Sequence, residues 1–227
     1  MGSLLNQSDR RAVLDALRPT AVLHLAWSGT QSDNYEQAAE NREWATSSIS
    51  FARECLDSGA WFLAAGSAAD TAGDPSFQSP YSAAKRQFRA EAQALQTVGR
   101  FTWLRPQYVV SIEDRRPRVI RAYLDRPSGA VLELADPDVE LDFIHVGDVA
   151  SAIAATIENG LTGTVDLGSG SLHSVSELLA AVDRSLSGEA ASGASSPDRP
   201  SATRPDRLFD LGWQPLRTRA LFGSPIT

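Results

Sequence analysis

The sequence has very little cysteine and no long apolar run. One cysteine in 227 residues excludes an internal disulfide and fits a reducing compartment. The longest apolar stretch near a predicted helix, Val149–Ile157, is far too short to span a bilayer. Charged residues also occupy the N-terminal segment in which a signal peptide would need its apolar core. We therefore expect a cytoplasmic protein without a membrane partner.

Positive charge and metal-binding residues are scarce as well. The formal net charge of −7 argues against nucleic acid as the main partner. With three histidines and neither a Cys-x-x-Cys nor a His-Glu-x-x-His motif, no metal site is expected. The hydrophobic content of 42% is ordinary for a globular protein, and the length suits one domain, or one domain with a small lobe.

Lysine is the rarest of the charged residues. Lys85 is the only lysine among 21 basic residues, and it lies four positions after Tyr81. Ser79 as N-cap and Pro80 at the first position predict a helix that continues to Leu95, with tyrosine and lysine on one face. An ammonium there favours the phenolate and lowers the pKa of the tyrosine. The alternative is a packed tyrosine beside a solvated lysine, but a single lysine kept among arginines favours a catalytic pair.

Apolar runs and turn residues predict alternating helices and strands in the first half of the chain. The predicted elements are helix Ser8–Leu17 with Ser8 as cap, strand Ala21–Ala26, helix Tyr35–Asp57, strand Trp61–Ala65, helix Ser79–Leu95 and strand Phe101–Leu104. The unbroken apolar runs indicate strands buried on both faces. His24 then reads as a core histidine rather than a ligand. The alternation predicts an α/β fold with a doubly wound, Rossmann-like parallel sheet.

The second half is less regular. Its predicted elements are helix Pro117–Leu124, strands Val131–Leu134 and Leu141–Val146, helix Asp148–Glu158, strand Thr164–Leu167, helix Ser174–Leu186 and helical turns Asp206–Gly212 and Leu216–Phe222. Ser174 and Glu177 have the spacing of a capping box. Gly188–Pro205 is rich in Ser, Ala, Gly and Pro, which predicts a mobile linker.

Six short motifs occur along the chain in an order typical of one superfamily. They are Val22–Trp27, Gly66-Ser67, Tyr81 with Lys85, Arg105-Pro106, Asp142–Ala150 and Leu211–Pro215. Over nearly its whole length, the chain resembles the extended short-chain dehydrogenase/reductase superfamily. The resemblance is to the nucleotide-sugar branch of NAD-dependent epimerases, dehydratases and 4-ketoreductases.

The resemblance implies a catalytic set. Tyr81 would be the acid/base, Lys85 would lower its pKa and hold the cofactor ribose, and Ser67 would hydrogen-bond the substrate oxygen. Ser67 also fits an ordinary turn serine, because Ala65 and Ala68 stand where the family has a second hydroxyl.

Residues beside a dinucleotide, if one is bound, follow from the same resemblance. They are Ala26, Asn41, Lys85, Arg105 and Pro106. For Asp142 and His145 we expect structural roles in a substrate lobe.

The family's Gly-x-x-Gly-x-x-Gly turn has no counterpart in this sequence, and Gly2–Leu5 already resembles a segment that follows that turn. The resemblance therefore implies a truncated Rossmann-like core over residues 1–110. A substrate lobe interleaved with the remaining core elements would occupy residues 111–227. We expect no tight dinucleotide binding by this chain alone, and NAD(P) binding if the missing half is supplied. Loss of the first strand would leave an edge of Ala21–Ala26 that a second copy, a partner chain or the N-terminal segment should cover.

Three functions are compatible with these features. The first is Tyr/Lys-assisted proton transfer next to a carbonyl, by an isomerase, dehydratase, lyase or cyclase of secondary or sugar-nucleotide metabolism. Its substrate would be a small carbonyl compound or a sugar nucleotide. The second is an NAD(P)-dependent 4-ketoreductase or epimerase completed by a partner chain or by upstream residues. The third is a non-catalytic relative that binds a sugar nucleotide or a partner enzyme.

Overall fold

A computed structural model of the chain describes residues 3–27, 34–70, 78–95, 99–113, 119–127, 130–188 and 199–223. The chain divides into two units. The first comprises Met1–Arg105 with Leu161–Val165, and the second comprises Pro106–Gly160 with Asp166–Thr227.

A four-stranded sheet forms the centre of the first unit. Its strands, in spatial order, are β1 (Ala21–His24), β2 (Trp61–Ala65), β3 (Phe101–Pro106) and β7 (Gly163–Leu167). The β1–β2 and β2–β3 pairings are parallel. Aromatic side chains, which favour strands, occur in both β2 and β3, and Phe62, Leu63 and Trp103 are fully buried. The predicted α/β fold with a Rossmann-like parallel sheet is confirmed.

Where the first unit is described, three helices accompany this sheet. They are α1 (Gln7–Leu17), α2 (Asn41–Asp57) and α3 (Pro80–Ala94), and single 3-10 turns lie at Tyr35–Gln37 and Ala68–Asp70. Ala45, Ile49 and Ala52 recur at helical spacing on α2 and join the hydrophobic core with Phe88 of α3. The two longest helices therefore bury one apolar stripe each.

Three details of this unit differ from the sequence prediction. The N-cap of α1 is Asn6, whose Oδ1 accepts from the Ser8 N–H at 2.9 Å, so Ser8 lies inside the first turn. The first strand ends at His24 and is not buried on both faces, since Leu23 is 39% exposed. Among the described strands only β2 pairs with it, so less of its surface is covered. The predicted helix Tyr35–Asp57 is interrupted before Asn41.

The described residues of the second unit form two small sheets and five helices. Strand β4 (Tyr108–Val110) pairs in parallel with β6 (Phe143–His145), and β5 (Glu140–Leu141) pairs antiparallel with β8 (His173–Ser174). The helices are α4 (Val119–Asp125), α5 (Val146–Glu158), α6 (Val175–Ser187), α7 (Asp206–Phe209) and α8 (Leu216–Phe222). Its core includes Val110, Phe143, Leu178, Val182 and Phe222.

One predicted strand of this unit is wrong, and another is confirmed in two shorter pieces, β5 and β6. Val131–Leu134 is irregular, since Val131 is 90% exposed and no described strand pairs with the segment. Leu141–Val146 is broken at Asp142, whose buried carboxylate accepts hydrogen bonds from Ser169 and Gly170. Turning that side chain toward backbone donors interrupts the strand.

Other parts of the second half follow the sequence prediction. The capping box of α6 is confirmed, because the side chains of Ser174 and Glu177 each accept from the other's backbone N–H. Of the predicted linker Gly188–Pro205, residues 189–198 lie outside the described residues. Beyond them, Arg199 forms ion pairs with Glu140 and Glu177. None of the described helices combines the length and apolar character needed to cross a membrane.

The edge of β1 leads to the first prediction. Leu23 and Leu25 are 39% and 58% exposed there, and an apolar edge of this kind pairs readily with another chain. We expect light scattering at micromolar concentration to show a species larger than one chain, and Leu23→Glu to shift it toward monomer. Leu211→Glu, at a leucine that is 44% exposed in the second unit, is the matched control. A monomeric wild type whose β1 amides exchange freely would contradict this prediction.

Candidate active site

The tyrosine and the lysine lie on the first turns of α3. Ser79 Oγ accepts from the Ser82 N–H at 3.2 Å, and Pro80 is the first helical residue, as the sequence predicts. Lys85 is buried, and its Nζ donates to the carbonyl oxygen of Ala65, at the end of β2, at 3.0 Å. This hydrogen bond connects the first turns of α3 to the end of β2.

The indole of Trp27 covers the lysine. Lys85 Nζ lies 3.7 Å from the centre of the Trp27 ring and 5.7 Å from the centre of the Tyr81 ring. A cation over an aromatic face is stabilised by the ring quadrupole, more so when water is excluded. The Trp27 and Tyr81 rings meet edge to face at 6.0 Å. Trp27, Tyr81 and Lys85 therefore form one cluster.

Burial changes the acid strength of the lysine. It lowers the pKa of Lys85 from 10.5 to about 7, and the carboxylate of Asp70 partly opposes that shift. Desolvation penalises the charged form of an amine, whereas a nearby negative charge favours it. Near neutral pH, Lys85 therefore exchanges between ammonium and amine.

Asn41 holds Trp27 in place. Its Oδ1 accepts from Trp27 Nε1 at 2.8 Å, and its Nδ2 donates to the carbonyl oxygens of Tyr35 and Ala38 at 2.7 and 2.9 Å. These two carbonyls belong to the segment that interrupts the predicted long helix. The amide thus satisfies the backbone of the break and orients the indole, and these contacts make Asn41 a positioning residue.

Ser67 lies in the turn after β2. Its Oγ accepts from the Ala69 N–H at 3.2 Å, and its backbone N–H donates to Asp70 Oδ2 at 3.3 Å. These are the contacts of a serine that caps the 3-10 turn Ala68–Asp70. Ser67 is half-buried and lies two residues beyond Ala65, whose carbonyl holds Lys85.

Asp70 is a site residue that the sequence interpretation missed. Its carboxylate is buried and accepts from Trp103 Nε1 at 2.7 Å and from Arg89 Nη1 at 3.0 Å, in addition to Ser67. The available signal was the i,i+4 spacing of Lys85 and Arg89 on α3, which directs two cations toward one acid in the strand-exit loop.

Gly66 makes room for this network. A Cβ at Gly66 would lie 2.4 Å from Trp103 Nε1, the atom that donates to Asp70. Only glycine allows the indole to approach the backbone so closely.

The other proposed cofactor contacts occupy strand ends. Ala26 is exposed two residues beyond the end of β1, and Arg105 and Pro106 are the last, half-buried residues of β3. His24 is a core histidine, as predicted. Its Nε2 lies 2.9 Å from Ser48 Oγ, and burial, followed by the charge of Lys85, lowers the pKa of the ring to about 4.

Asp142 and His145 make structural contacts in the second unit. Asp142 binds the loop at Ser169, and desolvation raises the pKa of its carboxyl, opposed by those hydrogen bonds. His145 caps α5, because its Nδ1 accepts from the Gly147 N–H at 3.0 Å. Within the described ranges, no group of three or more His, Cys, Asp or Glu side chains could hold a metal ion.

The parallel α/β sheet and the Tyr-x-x-x-Lys helix define a Rossmann-like protein of the short-chain dehydrogenase/reductase class. The chain belongs to the NAD dependent epimerase/dehydratase family, whose model matches residues 1–168. A search of curated protein sequences finds no match.

Solved structures share this fold at low sequence identity. UDP-glucose 4-epimerase of Thermus thermophilus, in complex with NAD, is 21% identical with a TM-score of 0.69, and the match covers 94% of this chain and 78% of that one. UDP-N-acetylglucosamine 4-epimerase of Methanobrevibacter ruminantium is 17% identical with a TM-score of 0.72, covering 99% and 80%. dTDP-glucose 4,6-dehydratase of Bacillus anthracis, in complex with NAD, is 16% identical with a TM-score of 0.69, covering 98% and 76%.

The buried acid provides the second prediction. Asp70→Ala leaves the Trp103 and Arg89 donors without their acceptor, so we expect a loss of about 3 kcal/mol in the free energy of unfolding. Asp15→Ala, at an exposed aspartate of α1, is the control and should change it by less than about 0.5 kcal/mol. Urea unfolding measures both variants. Equal stability of the two would show that Asp70 does not organise this cluster.

The lysine provides the third prediction. Because the folded-state pKa of about 7 lies below the ordinary 10.5, the unfolded chain binds more protons between these values. The free energy of unfolding therefore rises with pH in that window, because the buried amine loses its charge. Relative to Lys85→Met, the wild type should therefore gain free energy of unfolding as the pH rises from 7 to 10, by about 1 kcal/mol per pH unit in the middle of that range. Lys85 is the only lysine, so no other amine side chain contributes. A pH-independent difference would mean that Lys85 keeps an ordinary pKa.

Proposed function

We propose that the chain catalyses proton transfer at a carbon next to a carbonyl, with Tyr81 as the acid/base and a sugar nucleotide as substrate. One observation carries the proposal. The only lysine of the chain is buried with its Nζ 5.7 Å from the Tyr81 ring centre. Its positive charge favours the phenolate, which is the form that removes a proton. The UDP-sugar and dTDP-sugar enzymes among the structural relatives support the proposed substrate class.

The step requires one base and one hydrogen-bond donor. The phenolate of Tyr81 takes a proton from the carbon beside the carbonyl, and the electron pair of the broken C–H bond forms an enolate. The hydroxyl of Ser67 would donate to the enolate oxygen while its own oxygen continues to accept from Ala69. The phenol then returns the proton to carbon. Epimerisation results when the proton returns to the other face of the same carbon. Dehydration results when the hydroxyl on the next carbon leaves instead, since the electron pair of the enolate then forms a C=C bond and the phenol of Tyr81 gives its proton to the departing hydroxyl, which leaves as water.

The described residues do not fit a dinucleotide at the lysine. A cofactor ribose would need a hydrogen bond from Lys85 Nζ, but Lys85 is only 4% exposed. Its ammonium already contacts the Ala65 carbonyl and the Trp27 ring. The Asn41 amide is likewise engaged with Trp27 and two backbone carbonyls. No step of the proposed reaction is therefore assigned to a nicotinamide.

A second candidate function is an NAD(P)-dependent epimerase or 4-ketoreductase completed by further residues or by a partner chain. Family membership favours it, as does NAD in the solved structures of the Thermus thermophilus epimerase and the Bacillus anthracis dehydratase. In that case Trp27 would have to leave Lys85 when the cofactor binds.

Two measurements on the purified chain make the fourth prediction and separate the candidates. We expect NADH and NADPH titrations, followed by calorimetry, to show no saturable binding up to millimolar concentration. With a nucleoside-diphosphate 4-keto sugar in D₂O, we expect the proton beside the carbonyl to exchange in the NMR spectrum. Tyr81→Phe should slow this exchange by about 100-fold or more.

Tyr123→Phe, a tyrosine of the second unit, is the matched control and should exchange like the wild type. Micromolar binding of NADH or NADPH would instead favour the NAD(P)-dependent epimerase or 4-ketoreductase. Exchange that persists in Tyr81→Phe, or no exchange in the wild type, would overturn the acid/base proposal. If the wild type shows neither proton exchange nor cofactor binding, a non-catalytic binding protein is favoured.

A further inference from the structure

A cavity of about 430 Å³ lies wholly within the second unit. It shares no residue with the candidate active site. Helix α6 and helix α8 supply most of its lining, and the end of β4, Ile120 of α4 and His145 supply the rest. Cavities of this size hold small organic molecules.

The lining combines an apolar surface with cations. Val110, Ile120 and Leu221 supply apolar surface, and Arg184 of α6 and Arg217 of α8 supply positive charge. None of the described residues that line it is acidic, although the whole chain carries a net charge of −7. Two guanidinium groups from two helices therefore make an anion-attracting site on an acidic protein.

The backbone around Gly147 fixes Arg217. Its Nη1 donates to the Gly147 carbonyl at 3.3 Å, and its backbone N–H donates to Asp148 Oδ1 at 3.1 Å. A Cβ at Gly147 would lie 2.7 Å from Arg217 Cδ, so the glycine allows the arginine to lie close against the backbone. The buried Asp148 also accepts hydrogen bonds from the Thr218 N–H and hydroxyl, so its carboxylate binds the first turn of α8.

Arg184 and His145 complete the polar part of the lining. Within the part of the chain that the structure describes, Arg184 forms no ion pair, and the neighbouring Asp183 accepts from the Tyr123 hydroxyl. His145 Nδ1 accepts from the Gly147 N–H, so the neutral ring carries its proton on Nε2 and offers a donor there.

We infer that this cavity binds a small amphipathic anion, with a phosphate or carboxylate group at Arg184 and Arg217 and an apolar body against Val110, Ile120 and Leu221. Guanidinium groups bind both anion types in bidentate fashion. Anion binding in this cavity does not depend on the proposed reaction, because none of its lining residues takes part in that reaction.

The fifth prediction uses 8-anilinonaphthalene-1-sulfonate, an aromatic anion whose fluorescence rises in apolar sites, as the probe on the full chain. We expect saturable binding, displaced by octyl phosphate and by octanoate but not by 1-octanol, which has the same chain without the charge. Displacement by octyl phosphate alone would identify phosphate as the group bound, and by octanoate alone a carboxylate. Equal displacement by 1-octanol would overturn the role of the arginines.

Matched variants locate the probe. Arg184→Gln with Arg217→Gln should weaken binding by about tenfold or more. Arg11→Gln with Arg53→Gln removes the same charge from exposed positions of the first unit and should leave affinity unchanged. Ala220→Trp fills the cavity without changing charge and should abolish binding while the circular dichroism spectrum stays native. Equal affinity of the two arginine double variants, or unchanged binding in Ala220→Trp, would refute the site.

Discussion

A single buried ammonium organises the first unit. Removing Lys85 from water costs free energy, and a carbonyl, an aromatic face and a carboxylate offset only part of that cost, so the pKa of the amine stays lowered. Each of these groups depends on a different element. Ala65 ends β2, Asn41 at the start of α2 orients the Trp27 indole, and the 3-10 turn brings in Asp70. The interruption before α2 and the close approach at Gly66 are therefore consequences of accommodating one charge.

The local features of this region could be predicted from the sequence, whereas its contacts between distant residues could not. The strand β2, the Ser79 cap and the Tyr81–Lys85 pair follow from local rules, because caps and periodicity depend on neighbouring residues. The covering of Lys85 by Trp27 could not be predicted in that way. The two residues are far apart in sequence, and their contact depends on Asn41 bonding to the backbone of Tyr35 and Ala38. Asp70 was missed for the same reason, because its partners come from α3 and β3.

The second unit illustrates the same limit. A run such as Val131–Leu134 satisfies the pattern of a strand, but a strand needs a partner, which local pattern does not supply. At Asp142 and Asp148 the deciding factor is again non-local. Buried carboxylates there accept from Ser169 and Thr218 and so fix a strand break and the start of a helix. The acidic residues of a family signature can thus be explained by hydrogen bonds from backbone N–H groups and neighbouring hydroxyls.

The contact between Trp27 and Lys85 also gives the molecule an optical property. An indole excited state is sensitive to a charge at 3.7 Å, and here that charge appears or disappears near pH 7. Four other tryptophans emit alongside it, but Trp27 is the one whose ring lies over the lysine. The wavelength of Trp27 fluorescence should therefore depend on the protonation of Lys85 and on the binding of any molecule that displaces the indole.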